Sequence, residues 1–253
     1  MTRRTLVVVG HGMVGHRLVE LAVERGLTDD WDVVVHAAEA VPAYDRVGLS
    51  ALFRGTTAQE LCLVAEGFFD HPALDLRLGD PVVAVDPDAR TVTSQAGVTT
   101  RYDALVLATG SAAFVPPVPG ATGPGRFVYR TLDDLEQIRT ASLGSRTGAV
   151  VGGGLLGLEA ADALRSVGLD TTVVEFAPRL MPVQVDDAGG QALRRLVEDL
   201  GVHVRTSAVT QVVEQTGTGL RMVFAEGEPL DVDVLVFSAG IRPDDTLAGP
   251  AAS

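Results

Sequence analysis

The chain has 253 residues, 46% hydrophobic and 21% charged, enough for one large or two modest globular domains. Its net charge is −13 with no basic cluster to meet nucleic-acid phosphates, which argues against a DNA or RNA partner. All 20 basic residues are arginine, so lysine-based mechanisms are excluded; the single cysteine, Cys62, excludes a CxxC redox pair, an all-cysteine metal or cluster site and an intrachain disulfide.

The start, MTRRTLVVVGHG, sets two arginines before an apolar run, as a signal peptide does. The run is short and passes directly into Gly10 and Gly12, so it reads as a first strand, Thr5 to Val9. No apolar stretch suffices for a membrane span, and the cytoplasm is the expected compartment. Gly10, Gly12 and Gly15 in VVVGHGMVGHRLVELAV form a strand, glycine turn and helix, the helix ended by Gly26. Trp31 to His36 is the next strand, and Glu39 the acid it would deliver to a ribose. Ala58 to Val64 reads as a short helix holding Cys62 as a buried small hydrophobe. Val82 to Val85, Thr91 to Ser94 and Tyr102 to Ala108, parted by DPDAR and QAG, have the pattern of a β-meander appended to a parallel sheet. YDALVLATGS reads as a buried strand ending in a small-residue turn, and AAFVPPVPG as a linker at a domain boundary.

Arg130 to Ala141 is the next helix, with Thr131 as its cap and Asp133 and Asp134 in its first turn. Then comes AVVGGGLLGLEAADALRSVGLDTTVVE, Ala149 to Glu175, around which the chain is organised. Gly152 permits a tight turn, Gly154 lets backbone approach a pyrophosphate, and Gly157 lets helix pack close on strand. The helix N-terminus offers unpaired N–H groups to phosphates, and Glu175 ends the second strand near the spacing of a ribose-binding carboxylate. Two units of one design imply two dinucleotides, usually FAD at the first and NAD(P)H at the second; a plain packing turn is the alternative at each. Asp186 to Leu200 is an amphipathic helix, Val202 to Thr206 its strand, and Val209 to Glu214, Leu220 to Phe224 and Val232 to Phe237 form further strands before SAGIRPDD.

With ATGS and SAGIRP in view beside both glycine turns, the chain resembles the two-dinucleotide flavoproteins that include pyridine nucleotide–disulfide reductases. Within them, GHGMVGHR, AYDRVGLS, FVYRTLDDL, GAVVGGGLLGLEAADAL and VEFAPRLMP resemble the large subunit of NAD(P)H-dependent assimilatory nitrite reductase, over nearly the whole chain. The resemblance implies an α/β fold with two Rossmann-like domains, each with a β-meander. It sets an FAD domain at residues 1–112, resumed at 238–253 and incomplete at its C-terminus, around an NAD(P)H domain at 113–237. It implies that Gly10, Gly12, Met13, Val14 and Gly15 hold the FAD pyrophosphate, with Glu39 at its ribose, Arg46 near the flavin or its phosphates, and the backbone at Val82 near the adenine. Ala108, Thr109, Gly110 and Gly240 would lie in the turns near the domain crossings. Gly152, Gly154, Leu155, Leu156 and Gly157 would hold the second pyrophosphate. Glu159, the one catalytic candidate, would approach the nicotinamide end. A carboxylate at Glu175 favours NADH over NADPH, with Arg179 close enough in sequence to leave the matter open.

The implied activity is hydride transfer from NADH to FAD, with electrons passed to an acceptor module or protein. The sirohaem and [4Fe–4S] centre of such reductases would belong to a part beyond this chain, because one cysteine cannot supply it. No resident metal site is expected, and a homo-oligomer is compatible with the reading. Two departures from the resemblance are expected to matter: Ala38 and Glu39 occupy positions where paired acids are common, and the sequence stops soon after SAGIRPDD, where the FAD domain would resume. Ala51, where ferredoxin-reducing relatives often have lysine, favours the nitrite reductase reading. An NADH-dependent ferredoxin or rubredoxin reductase and a truncated nucleotide-binding module without turnover are the alternatives.

Overall fold

The computed structural model describes residues 3–249, and the chain divides into two compact units. The first takes the chain up to Arg46, Thr57–Ser111 and the segment from Pro243 onward; the second takes Val47–Thr56 and Ala112–Arg242. The chain passes from the first unit to the second between Ser111 and Ala112. Val47–Thr56 and 238–242, read from the sequence as parts of the first domain, group with the second unit, and 250–253 of the expected return segment lie outside the described residues.

The first unit runs β1 (Arg4–Val9), α1 (Met13–Glu24), β2 (Trp31–His36), α2 (Ala58–Leu61), β3 (Leu74–Arg77), β4 (Val82–Asp86), β5 (Thr91–Ser94), β6 (Thr99–Arg101) and β7 (Ala104–Leu107). Its parallel sheet has the order β3-β2-β1-β7, and β4, β5 and β6 form an antiparallel meander. Side chains alternate across a strand, which sorts β1 between two cores. Leu6 and Val8 pack with Val33, Val35, Leu74 and Val19 of α1, while Val7 and Val9 pack with Val34, Val82 and Val92. Burial on both faces is why these strands read as unbroken apolar runs.

Three local expectations change. The third meander strand is Thr99–Arg101, and the apolar run after it is β7, which pairs with β1. Among the described residues β7 has no second neighbour in its sheet, so its residues are only partly covered. Helix α2 stops at Leu61: Thr57 and Glu60 close its N-terminus in a capping box, and Cys62 then turns extended to bridge Tyr44. Cys62 is accordingly half-buried.

After β7 the chain runs β8 (Ser111–Ala113), β9 (Arg126–Val128), α3 (Leu132–Ser142), β10 (Thr147–Val151), α4 (Leu155–Ser166), β11 (Asp170–Val174), α5 (Asp187–Asp199), β12 (Val202–Arg205), β13 (Thr210–Gln215), β14 (Leu220–Phe224), β15 (Leu230–Val232), β16 (Val234–Phe237) and β17 (Ile241–Pro243), all in the second unit except the boundary residues Ser111 and Pro243. The parallel sheet has the order β12-β11-β10-β16-β9, with a β13-β14-β15 meander and a short β8–β17 ribbon. Ala149, Val174, Leu235 and Phe237 of the sheet meet Val213, Leu220, Met222, Phe224 and Val232 of the meander in one buried core. The run read as a single strand, Val232 to Phe237, divides at Asp233 between meander and parallel sheet. The Asp233 carboxylate accepts hydrogen bonds from the N–H groups of Arg146 (2.8 Å) and Thr147 (3.0 Å), which hold it below the usual carboxylate range. Within Val47–Thr56, a 3-10 turn at Leu49–Arg54 ends on Arg54, which pairs with Asp162 of α4.

Candidate functional site

The two glycine turns share one backbone design. Gly10 N–H donates to His36 O (2.8 Å) as Gly152 N–H donates to Val174 O (2.9 Å), so each turn is pinned to the end of the neighbouring strand. Both glycines have a positive φ, +106° and +122°. A Cβ at Gly152 would stand 2.3 Å from Ser238 O, and one at Gly157 would stand 1.9 Å from Gly152 O; the first turn repeats these clashes at 2.1 Å and 2.0 Å. Only glycine fits there. At Gly12 and Gly154 nothing lies within 4 Å of a built Cβ, which leaves room for a ligand.

How the helices begin separates these turns from the others. Helices α2, α3 and α5 are closed by the side chains of Thr57, Thr131 and Asp186, and each has an acid in its first turn. Helices α1 and α4 have no side-chain cap and no first-turn acid. Their first N–H groups and the positive ends of their dipoles are therefore available to an anion.

At the second turn the surroundings form a cleft of about 620 Å³. Gly152, Gly154, Leu155, Leu156, Glu175 and Gly240 all line it, so the structure brings these sequence-chosen residues together. Gly157 lies beneath the turn, against Gly152. Glu175 is 4% exposed, and its carboxylate accepts from the N–H groups of Gly153 and Ala177, the latter at 2.8 Å. A carboxylate oxygen has two lone pairs, so both oxygens retain accepting capacity toward a ribose. Apolar walls unanticipated from sequence complete the cleft: Phe114, Pro182, Val183 and Val209. They come from loops with no periodic pattern, and their only sequence signal was position after Glu175 or next to a strand end.

At the first turn, Ala108 and Thr109 close over Gly10, and the Gly110 carbonyl accepts from Asp244 N–H (3.0 Å). Met13 and Val14 lead α1 with exposed side chains. Glu39 is engaged: Arg46 pairs with one carboxylate oxygen and Tyr44 Oη donates to the other at 2.7 Å. Arg46, expected near the flavin or its phosphates, thus pairs with an acid of its own unit and lies over the Tyr44 ring. Val82 is a buried core residue at the start of β4.

The family model described as pyridine nucleotide-disulphide oxidoreductase matches residues 4–253. The chain belongs to that family. It is 51% identical over 248 residues to the large subunit of nitrite reductase [NAD(P)H] from Klebsiella oxytoca, covering 98% of this chain and 26% of that protein. It is 45% identical to the nitrite reductase (NADH) large subunit of Escherichia coli K12, covering 98% and 30%. The chain thus spans less than a third of the length of these relatives. Among solved structures, the ferredoxin reductase for the CYP199A2 system of Rhodopseudomonas palustris is similar at a TM-score of 0.87 and 28% identity, over 98% of this chain and 62% of that one. The resemblance and the paired Rossmann-like α/β folds read from the sequence are borne out.

Glu159, like Gly157, is a family-implied residue of this site that does not line the cleft. It projects from α4 half-buried, and burial raises its pKa. Beside it the Tyr129 phenol is buried without a hydrogen-bond partner, its pKa raised by burial and then by the charges of Glu159 and Asp162. Among the described residues no group of three His, Cys, Asp or Glu could hold a metal ion, and no helix is long and apolar enough to cross a membrane.

Proposed function

We propose that the chain is a flavoprotein module that takes hydride from NADH to FAD and passes electrons to a nitrite-reducing sirohaem and iron–sulfur centre outside residues 1–253. The observation that carries this is the pair of uncapped, acid-free helix starts behind glycine turns, beside three helices that are capped and acidic. The residues fit both groups: each turn leaves a cradle at its middle glycine, and the cleft at the second has the size range of cofactor pockets. When bound, the two cofactors supply the redox chemistry by hydride transfer between nicotinamide and isoalloxazine.

In this reading the first unit seats FAD and the second NADH. Met13 and Val14, like Leu155 and Leu156, present first-turn N–H groups to a diphosphate. Thr109 and Gly110 lie by the first cofactor, Gly240 by the second. Glu175 takes the adenosine ribose hydroxyls of NADH, and its charge disfavours a 2′-phosphate. Glu39, held by Arg46 and Tyr44, is oriented for the FAD ribose. Glu159, its pKa raised by burial, serves the nicotinamide end. No residue acts as nucleophile. The module works in the cytoplasm, as a homo-oligomer or alone, with an acceptor module as its partner.

The test is anaerobic mixing of the FAD-loaded chain with NADH in a stopped-flow instrument. Loss of the oxidised flavin absorbance is expected, with slower or no bleaching by NADPH. An FAD-loaded chain that NADH does not bleach overturns the oxidoreductase reading and leaves a binding module. A relative named as a ferredoxin–NAD(+) reductase component, from Burkholderia cepacia, is 31% identical. Diaphorase assays with and without ferredoxin separate that second reading.

A further inference from the structure

We propose that Arg179 is the clamp of the loop walling the second cleft and is withheld from ligand, so that the cleft admits a dinucleotide with a free adenosine 2′-hydroxyl and excludes one with a 2′-phosphate. This rests on the reading of that cleft as the nicotinamide-dinucleotide site. Arg179 is the sole cation between Glu175 and Gln191, and in sequence it stands where a 2′-phosphate could be met. Its guanidinium is turned into its own loop. Nε donates to Val185 O (3.0 Å), Nη2 to Pro182 O (3.2 Å) and Nη1 to Asp187 Oδ1 (2.7 Å). The two carbonyls and the carboxylate occupy donors on all three nitrogens, and Asp187 neutralises the charge.

The surroundings hold that pose. A Cβ at buried Gly190, in the first turn of α5, would come within 2.9 Å of Arg179 Cβ and Cδ, so the absence of a side chain there makes room for the arginine stem. Leu180 is fully buried, and Met181 N–H donates to Gly153 O (2.9 Å), which ties the loop to the glycine turn. What the loop turns toward the cleft is Phe176, Pro182, Val183 and Gln184, none of them cationic. Phe176 is 76% exposed and Val183 90%, an apolar lip suited to an adenine face. With no cation among the cleft's lining residues, the only charge a 2′-phosphate would meet there is that of the Glu175 carboxylate, whose position is fixed by the N–H groups of Gly153 and Ala177. Arg179 therefore acts by position: it builds the wall and withholds its charge.

The experiment is isothermal titration of the full chain with ADP and with 2′,5′-ADP, beside thermal melts, for the parent, Arg179→Met and Asp187→Ala. The parent should bind ADP on the order of tenfold more tightly than 2′,5′-ADP, a difference of about 1.4 kcal/mol. Arg179→Met should weaken both ligands by a similar factor and lower Tm, leaving their ratio unchanged. Asp187→Ala, which frees part of the guanidinium, should move the ratio toward 2′,5′-ADP, a shift that a merely structural arginine would not produce. A parent chain that prefers 2′,5′-ADP, or an Arg179→Met variant that loses 2′,5′-ADP selectively, overturns the clamp and leaves the site reading standing. Binding of neither ligand by the folded parent overturns both.

Discussion

The two glycine turns differ chiefly in one residue, the one between the first two glycines, and that residue decides what surrounds the acid. In the first turn it is His11, 7% exposed, packed edge-on against His16 and Phe69, with Nδ1 accepting the Ala43 N–H at 3.2 Å. In the second it is Gly153, where a Cβ would come within 2.7 Å of Leu180 and 2.9 Å of Glu175. The imidazole fills the space beneath its turn, and Glu39 finds its partners in the side chains of Arg46 and Tyr44. The empty space at Gly153 admits Glu175, which the turn's own N–H then holds. One backbone design thus supports two acids of different rigidity: one fixed by main chain and buried, the other fixed by side chains and partly exposed.

The largest effect should come from breaking what the turns share. Gly157→Ala drives a Cβ into the Gly152 carbonyl, a backbone atom that cannot move aside, and should cost roughly 2–4 kcal/mol and abolish ADP binding. Calorimetric melts with and without ADP check both parts; an unchanged Tm would refute the packing argument. The comparison sharpens next at the middle residue. Burial, and then the charge of His16, lower the His11 pKa from 6.5 to about 4. A folded-state pKa below the unfolded value means that protonation favours unfolding. The contribution is complete above pH ~6.5 and is lost as pH falls toward about 4. Trp31, the single tryptophan, lies in the first unit and reports its unfolding by fluorescence. His11→Asn should flatten this acid limb, and an unchanged slope would place the titration elsewhere.

Smaller effects distinguish the acids. Glu175→Gln sets an amide NH₂ against a main-chain N–H, which should cost about 1–3 kcal/mol and weaken ADP binding in parallel. Glu39→Gln breaks an ion pair that solvent partly screens, and should cost no more than about 1 kcal/mol, read from Trp31 fluorescence in urea. If Glu39→Gln proves the costlier of the two, main-chain fixing is not what distinguishes the acids.

Both turns, the succession of the main strands along the chain and the cap at Thr131 were legible because they depend on neighbours close in sequence. A glycine at positive φ, a Thr accepting from the N–H three residues on, and alternating valines carry their reasons within a few residues. β3 and β9 were missed: each is short, and their pairing with β2 and β16 supplies the order that their own pattern lacks. The split at Asp233 was hidden because an apolar run looks alike whichever sheet receives it, and only the amides of Arg146 and Thr147 mark the break.

The sequence by itself determined that two phosphate-type turns exist, because the clash of a Cβ with a backbone carbonyl admits only glycine wherever the turn forms. It also determined the absence of a lysine and of a cysteine pair, which bounds the chemistry. Tertiary structure alone decided that Arg179 turns away from the cleft, that Arg46 binds Glu39 and that Val47–Thr56 joins the second unit. A long charged side chain reaches many partners, and the choice among them depends on carbonyls and carboxylates that only the folded chain brings within hydrogen-bond distance.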